Sequence, residues 1–187
     1  MKDEKMDEKQ LLRSCLEGDA ESYRMIVENY RGKAMAMAMG ILGNREDAED
    51  ACQDAFIKAF QNLDKFDFNR NFKDWMYAIV ANRSLDMLRK RRRFFNVFDR
   101  IKSESKASSE PESSQPELSR QIREMLMKHL SEKERIALLL WSNESYSGEE
   151  IAEILKCSPS TARIHLFKAR KKIKPFMERH HVPMQRI

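Results

Sequence analysis

The stretch NFKDWMYAIVANRSLDMLRKRRR, Asn71 to Arg93, opens with Phe72, Trp75 and Tyr77 and closes in the run Arg89-Lys90-Arg91-Arg92-Arg93. Rings followed by cations are what an unpaired nucleic-acid strand requires, because rings stack on bases while cations meet phosphates. The same residues also fit a core helix with a solvated basic end. Phe72, Trp75, Met76, Ile79 and Val80 recur at the spacing of an inward helix face. Asn82, Asp86, Arg89 and Arg93 step along a different face, with Arg83 and Lys90 beside them. Trp75 and Tyr77 are expected to be partly exposed, since a fully buried stripe rarely needs two rings with polar handles.

A second chemical element lies in SGEEIAEILKCSPSTARIHLFKARKKIKPF. Ser147 and Glu150 are spaced as a capping box before the inward residues Ile151, Ala152, Ile154 and Leu155. Lys156-Cys157-Ser158 reads as a short turn, with Ser158 as N-cap and Pro159 at the first helical position. Beyond it Ala162, Leu166, Ala169 and Ile173 make a narrow core face, leaving Ser160, Arg163, Ile164, Lys168 and Lys171 outside. This pattern predicts a helix-turn-helix whose second helix enters the major groove. Arg163 and Lys168 there match guanine edges, and Ser160, Thr161, Lys171 and Lys172 match phosphates.

A third segment, GNREDAEDACQDAFIKAFQNLDKF, pairs the N-cap Asn44 with an acidic start. Asp47, Asp50 and Asp54 share a face apart from the apolar stripe of Ala48, Ala55, Phe56, Ala59 and Phe60. On the residues alone, complementing the helix dipole and keeping the face soluble explains those carboxylates as well as a partner does.

These segments need helices to position them, and the composition agrees. Of 187 residues, 41% are hydrophobic and 35% charged, with 5 Gly and 5 Pro. So few turn formers disfavour an all-β fold and predict an all-α one. Leu12, Cys15 and Leu16 mark a first helix, with Gly18 as its stop and Asp19 as the next start. AMAMAMGILG alternates like a strand, yet Ala and Met are helix formers, and the segment reads as a helix buried nearly all round, with Met filling gaps. Leu118, Ile122, Met125, Leu126 and Leu130 trace one later helix, and SEKERIALLLW another, capped by Ser131 and Glu134. Between the halves, KSESKASSEPESSQPE has no aromatic residue and too little apolar surface to offset chain entropy. The expected organisation is a domain at 1–96, a flexible linker at 97–117, a helix-turn-helix domain at 118–178 and a tail at 179–187.

The net charge of +5 is modest, but acidic and basic residues are segregated, which points to two kinds of partner. Cys15, Cys52 and Cys157 are scattered, and the pair His180-His181 lacks nearby ligands, so neither a disulfide framework nor a metal site is expected. With no P-loop and no nucleophile-base pair, no catalysis and no cofactor are expected either. The charged start MKDEKMDEKQ is no signal peptide, and no run reaches the roughly 18 apolar residues of a membrane span. A soluble, cytoplasmic protein is expected.

Taken together, GNREDAEDACQDAFIKAF, FKDWMYAIVANRSLDMLRKRRR, the polar linker and YSGEEIAEILKCSPSTARIHLFKARKKI resemble an extracytoplasmic-function (ECF) RNA polymerase sigma factor in order and spacing, from about Leu11 to Phe176. The resemblance implies two helical domains, regions 2 and 4. It implies that the DAFIKAF helix docks on the coiled coil of the polymerase largest subunit, through Asp47, Asp50, Asp54, Phe56 and Lys58. It implies capture of the melted minus-ten element by Asn69, Arg70 and Asn71 of the loop Asp67–Asn71, by Trp75, Tyr77, Asn82, Arg83 and Asp86, and by Arg89 and Lys90 along the backbone. Region 4 would read the minus-thirty-five duplex through Arg163, Ile164 and Lys168, with Ser160, Thr161, Lys171 and Lys172 on its phosphates. The polymerase flap and an inhibitory anti-sigma factor are further partners the resemblance implies. Ser160 stands where glycine is common and Ala162 where valine is, so the preferred DNA sequence is not readable. A helix-turn-helix regulator acting without polymerase would leave the acidic helix and the aromatic-basic helix idle. A nuclease would need a His or Lys near the acidic cluster.

Overall fold

Asp7 and Gln10 form a capping box that starts α1 (Glu8–Leu16). The helix stops at Gly18, whose φ of 97° lies in the left-handed region that glycine enters freely. Asp19 then accepts from the Glu21 N–H and caps α2 (Ala20–Leu42), which ends on the left-handed Gly43. Asn44 accepts from Asp47 N–H and caps α3 (Arg45–Gln61). A single 3-10 turn at Leu63–Lys65 and a loop lead to α4 (Phe72–Phe98). The structure is a computed structural model that describes residues 7–98, 117–144 and 146–181.

The second half holds α5 (Glu117–His129), α6 (Glu132–Glu144), α7 (Gly148–Leu155) and α8 (Pro159–Arg179). Ser131 and Glu134 exchange capping hydrogen bonds of 2.9 and 3.4 Å before α6, and Ser147 and Glu150 do the same before α7. Among the described residues the regular structure is helical throughout, as the composition predicts.

In the first half α2 packs against α1, α3 and α4; in the second, α8 packs against α5, α6 and α7. The alternating Ala-Met stretch sits inside α2, and every residue from Met37 to Leu42 is buried. Its own half covers only part of that surface. The remainder is covered by α5 and α6 of the second half, so the two halves pack directly on each other. Leu139 of α6 lies over Gly40, where an added Cβ would come within 2.8 Å of it. Arg135 of α6 is only 3% exposed, and its Nε and Nη2 donate to the Ile41 carbonyl at 3.0 and 2.7 Å. That carbonyl is among the last four of α2, which have no intrahelical partner and carry the negative end of the helix dipole. Burial lowers the Arg135 pKa from the ordinary arginine value.

Some boundaries and faces differ from expectation. α4 runs to Phe98 and α5 starts at Glu117, so both helices extend into the expected linker at its edges; residues 99–116 lie outside the described residues. α8 continues through Pro175 to Arg179, and residues 182–187 of the expected tail are likewise outside. Leu16 and Leu118, read as inward, are exposed; each sits at a helix terminus, where neighbouring helices no longer cover the stripe. Cys15 and Cys52 are buried, and burial pushes the Cys52 thiol up to about 11. Among the described residues no group of three or more His, Cys, Asp or Glu could hold a metal ion, and no helix is long and apolar enough to cross a membrane.

Candidate nucleic-acid interface

The outer face of α8 is laid out by its N-terminus. Ser158 accepts from the Thr161 N–H at 3.2 Å, and its hydroxyl also meets those of Ser160 at 2.9 Å and Thr161 at 2.8 Å. Lys156 takes a left-handed φ of 51° to make the turn from α7. Ala162, Ala169 and Ile173 are buried with Leu166 packed beside them. The helix is thereby rotated so that Ser160, Arg163, Ile164, Lys168 and Lys171 face solvent. Five of the seven residues expected to meet duplex DNA thus share one open face, with Thr161 half-buried at its edge.

Lys172 is the exception. Its Nζ sits 2.7 Å from Glu134 Oε2, whose side chain is only 7% exposed. Burial raises the Glu134 pKa, but hydrogen bonds from Lys172 and Ser131 outweigh it and leave the value below normal. Lys172 neutralises this buried carboxylate, although its own side chain is 44% exposed. Arg163 is paired with Glu149 of α7, so reading a base requires it to leave that partner. Phe167 was absent from the expected set and is 67% exposed, next to Ile164 at 51%. An open ring beside a base-reading helix fits apolar contact with a thymine methyl. The signal lay in the sequence: Phe167 is the one large apolar residue between Leu166 and Ala169 that falls off the core spacing.

The first half presents a different surface. Asp67 Oδ1 accepts from Asn69 at both N–H (2.9 Å) and Nδ2 (3.0 Å), which fixes the loop before α4. Asn71 Oδ1 caps α4 by accepting from the Lys73 N–H at 3.0 Å. Asn69, Arg70 and Asn71 are exposed on this braced loop. Flanking this loop in sequence, Phe66 meets Phe68, Phe72 and Trp75 with centroids 5.4, 5.4 and 5.1 Å apart. Trp75 is half-buried at the edge of that cluster, and Phe68, missed in the sequence, lies beside it also half-buried.

Tyr77 needs correction. It is 1% exposed and packs edge-on against Tyr30 at 5.9 Å, so it is a core ring and cannot stack on a base. The expectation failed because α2 packs on α4 and brings Tyr30 against the ring. Phe56, expected at the polymerase face, is also buried at 7%, while its neighbours Ile57 and Phe60 are each 47% exposed.

Several cations on α4 are tied to acids. Arg83 Nε reaches Asp54 Oδ2 at 2.8 Å, joining a residue expected to meet DNA to one expected to meet polymerase. Arg89 pairs with Asp86 at 3.1 Å, Arg91 with Asp47 at 3.6 Å, and Arg92 with Glu132 of the second half at 2.6 Å. Asn82 is half-buried, and Lys90 and Arg93 are exposed. On α3, Asp50 and Lys58 are exposed beside Ile57 and Phe60.

Comparison with known proteins identifies this combination. Residues 26–94 match Sigma-70 region 2 and residues 120–173 match Sigma-70, region 4. The chain is 30% identical over 190 residues to the ECF RNA polymerase sigma-E factor of Escherichia coli (strain K12), across 94% of this chain and 99% of that protein. It belongs to the ECF sigma factors. ECF RNA polymerase sigma factor SigW of Bacillus subtilis (strain 168) is 29% identical over 178 residues, 89% of this chain and 94% of that one. Two solved structures share the fold. One is the sigma factor RpoE from Bartonella quintana in complex with the anti-sigma factor NepR, with TM-score 0.66, 24% identity and coverage of 85% of this chain and 98% of that one. The other is CnrH in complex with the cytosolic domain of CnrY, with TM-score 0.59, 24% identity and coverage of 90% and 95%. The sigma factor binds core RNA polymerase and directs transcription initiation at promoters.

Proposed function

We propose the following division of labour on this sigma factor. The face of α8 carrying Ser160, Thr161, Arg163, Ile164, Phe167, Lys168 and Lys171 reads the minus-thirty-five duplex. The braced loop Asn69–Asn71, with Trp75 and the cations Arg83, Arg89 and Lys90, holds bases of the opened minus-ten strand. The observation that carries this is the pairing, in one chain, of an open recognition helix with an exposed, hydrogen-bonded loop that leads into the helix carrying a half-buried tryptophan.

Promoter opening then follows from differential binding. The first domain binds the separated strand better than the duplex, which shifts the melting equilibrium. Unstacking costs a few kcal/mol per base, and ring and pocket contacts return about 1–3 kcal/mol each. Polymerase supplies the rest of the grip, so isolated protein binds promoter DNA weakly. The chain performs no catalysis itself, needs no cofactor and acts in the cytoplasm.

The polymerase-docking edge is α3, with Asp47, Asp50 and Asp54 framing the exposed Ile57, Lys58 and Phe60; the flap contacts the second domain. The solved neighbours were captured with anti-sigma factors, and a partner of that class is proposed for this chain too. In vitro transcription with core polymerase and start-site mapping tests the whole reading, and the absence of promoter-specific transcripts on a promoter library ends it. Asp54→Lys, read by core-polymerase affinity, is expected to weaken binding by about tenfold or more through charge reversal at the docking edge. Arg83→Ala controls for loss of the internal pair, and equal affinity for both variants and wild type returns α3 to a solvated face.

A further inference from the structure

Among the described residues the two most exposed large apolar side chains are Phe167, at 67%, and Ile164, at 51%. They are neighbours on α8. At about 3.6 residues per turn they lie about 60° apart around the helix, on either side of the line from Ser160 to Lys171. The buried Ala162, Ala169 and Ile173 lie on the opposite side. By the same spacing Arg163 and Lys168 stand further out, one beyond each apolar residue. The middle of the outer face is therefore apolar and its borders are cationic.

We propose that Ile164 and Phe167 are a methyl-reading pair, each selecting thymine at its own position of the minus-thirty-five element by packing on the C5 methyl. The inference rests on the duplex-reading role of α8 and names the base read at the centre of that face. Cationic borders fit a polyanion, and the apolar group a duplex presents in its major groove is the thymine methyl. The other groups there are hydrogen-bond donors and acceptors. Pressed against Ile164 or Phe167, those groups lose water and gain no partner, which costs free energy. The methyl has no hydrogen bond to lose. From Ile164 to Phe167 the helix rises about 4.5 Å, close to the roughly 3.4 Å step between base pairs, so the two thymines fall on adjacent steps.

Uracil differs from thymine only in lacking that methyl, so it isolates the contact. Holoenzyme reconstituted from core polymerase and the full chain is titrated on a promoter duplex found by start-site mapping. Each thymine of its minus-thirty-five element, on either strand, is replaced in turn by uracil. Uracil at two adjacent steps is expected to weaken binding about fourfold each, the effect of exposing one methyl-sized group, and uracil elsewhere to change nothing. Ile164→Ala removes the sensitivity at one step and Phe167→Ala at the other. Both side chains are exposed, so neither change opens the core, and thermal unfolding checks that. Because a methyl is read, 5-methylcytosine at either step binds better than cytosine.

Uracil tolerated at every position, or a uracil effect that survives both substitutions, overturns the methyl-reading pair. A dimer of the free chain that Ile164→Ala and Phe167→Ala dissociate, together with tolerance of uracil, also overturns it and assigns the patch to a second copy. Uracil tolerance alone leaves the duplex-reading role of α8 standing, because Arg163 and the phosphate contacts do not depend on the methyl. Holoenzyme that shows no preference for the minus-thirty-five element over the same bases in scrambled order ends that role, and the methyl-reading pair with it.

Discussion

The two helices proposed to face DNA in this sigma factor are built on opposite plans. α8 turns a narrow core stripe inward and leaves its reading side chains in solvent. α4 buries one of its two candidate rings completely, half-buries the other, and ties Arg83, Arg89, Arg91 and Arg92 to acids. A duplex presents its edges on a regular surface, so a preformed helix face suffices to read it. An unpaired base has no fixed position until something holds it, and the holding surface must be rigid. In the proposed role, the aromatic cluster and the hydrogen-bonded loop at the start of α4 would brace that surface at the cost of exposed ring area.

The sharpest break of this comparison is within α4 itself. Tyr77→Ala removes a core ring, and the expected cost is about 3–5 kcal/mol of stability, read by denaturant unfolding. Trp75→Ala is expected to cost less in unfolding but to lower initiation from duplex promoters about tenfold or more. A template with the minus-ten region already mismatched should recover part of that loss, because unstacking is then prepaid. If Tyr77→Ala leaves stability unchanged and abolishes opening, the assignments of the two rings must be exchanged.

That pair of rings also shows how far the sequence could be read. The helix boundaries at Asp19, Asn44, Ser147 and Ser158 were legible because each cap satisfies helix donors locally, within three residues of sequence. The α8 face was legible because small core residues at steps of four, three and four leave only one orientation. In α4 the periodicity located the helix but could not say which ring was covered, since the packing ring Tyr30 lies far away in sequence. Lys172 looked like any other basic residue of α8, and its partner Glu134 looked like half of a capping box. Only the packing of α6 on α8 reveals that they neutralise each other. The contact between the halves had a trace in the unusual apolar fullness of α2, without any sign of what would cover it.

On the duplex-reading side, Arg163→Ala is expected to cost about 1–3 kcal/mol at one position of the upstream element. The loss should relax preference at that position alone, as scored across a library of minus-thirty-five variants. A uniform loss across the library would make Arg163 a backbone contact. Phe167→Ala in the same assay should reduce preference for thymine at a neighbouring position and leave guanine preference untouched.

Lys172 separates structural from DNA-binding cations by its dependence on pH. Lys172→Met leaves Glu134 buried without its cation, and a destabilisation of about 1–3 kcal/mol is expected at neutral pH. Because the Glu134 pKa is lowered in the folded protein, its ionised form contributes stability above the unfolded carboxylate value, roughly 4.3. That contribution is lost as pH falls through the lower folded value. Thermal unfolding from pH 7 to pH 3 should therefore show wild type and Lys172→Met converging in acid. Equal stability at pH 7, with a weaker salt dependence of DNA binding in the variant, would return Lys172 to the phosphate contacts.

The smallest expected effect concerns a recognition-helix side chain held by an exposed partner. Arg163 and Glu149 are both well exposed, at 64% and 59% of their side-chain surfaces, and pairs of that kind contribute about 0–1 kcal/mol. Glu149→Gln should therefore tighten upstream-element binding at most about fivefold, because Arg163 no longer leaves a partner to reach a base. The gain should vanish in the Arg163→Ala background, where there is nothing left to release. A gain that persists in the double variant would assign Glu149 a general repulsion from phosphate, and α8 would then be a face whose charges are free before DNA arrives.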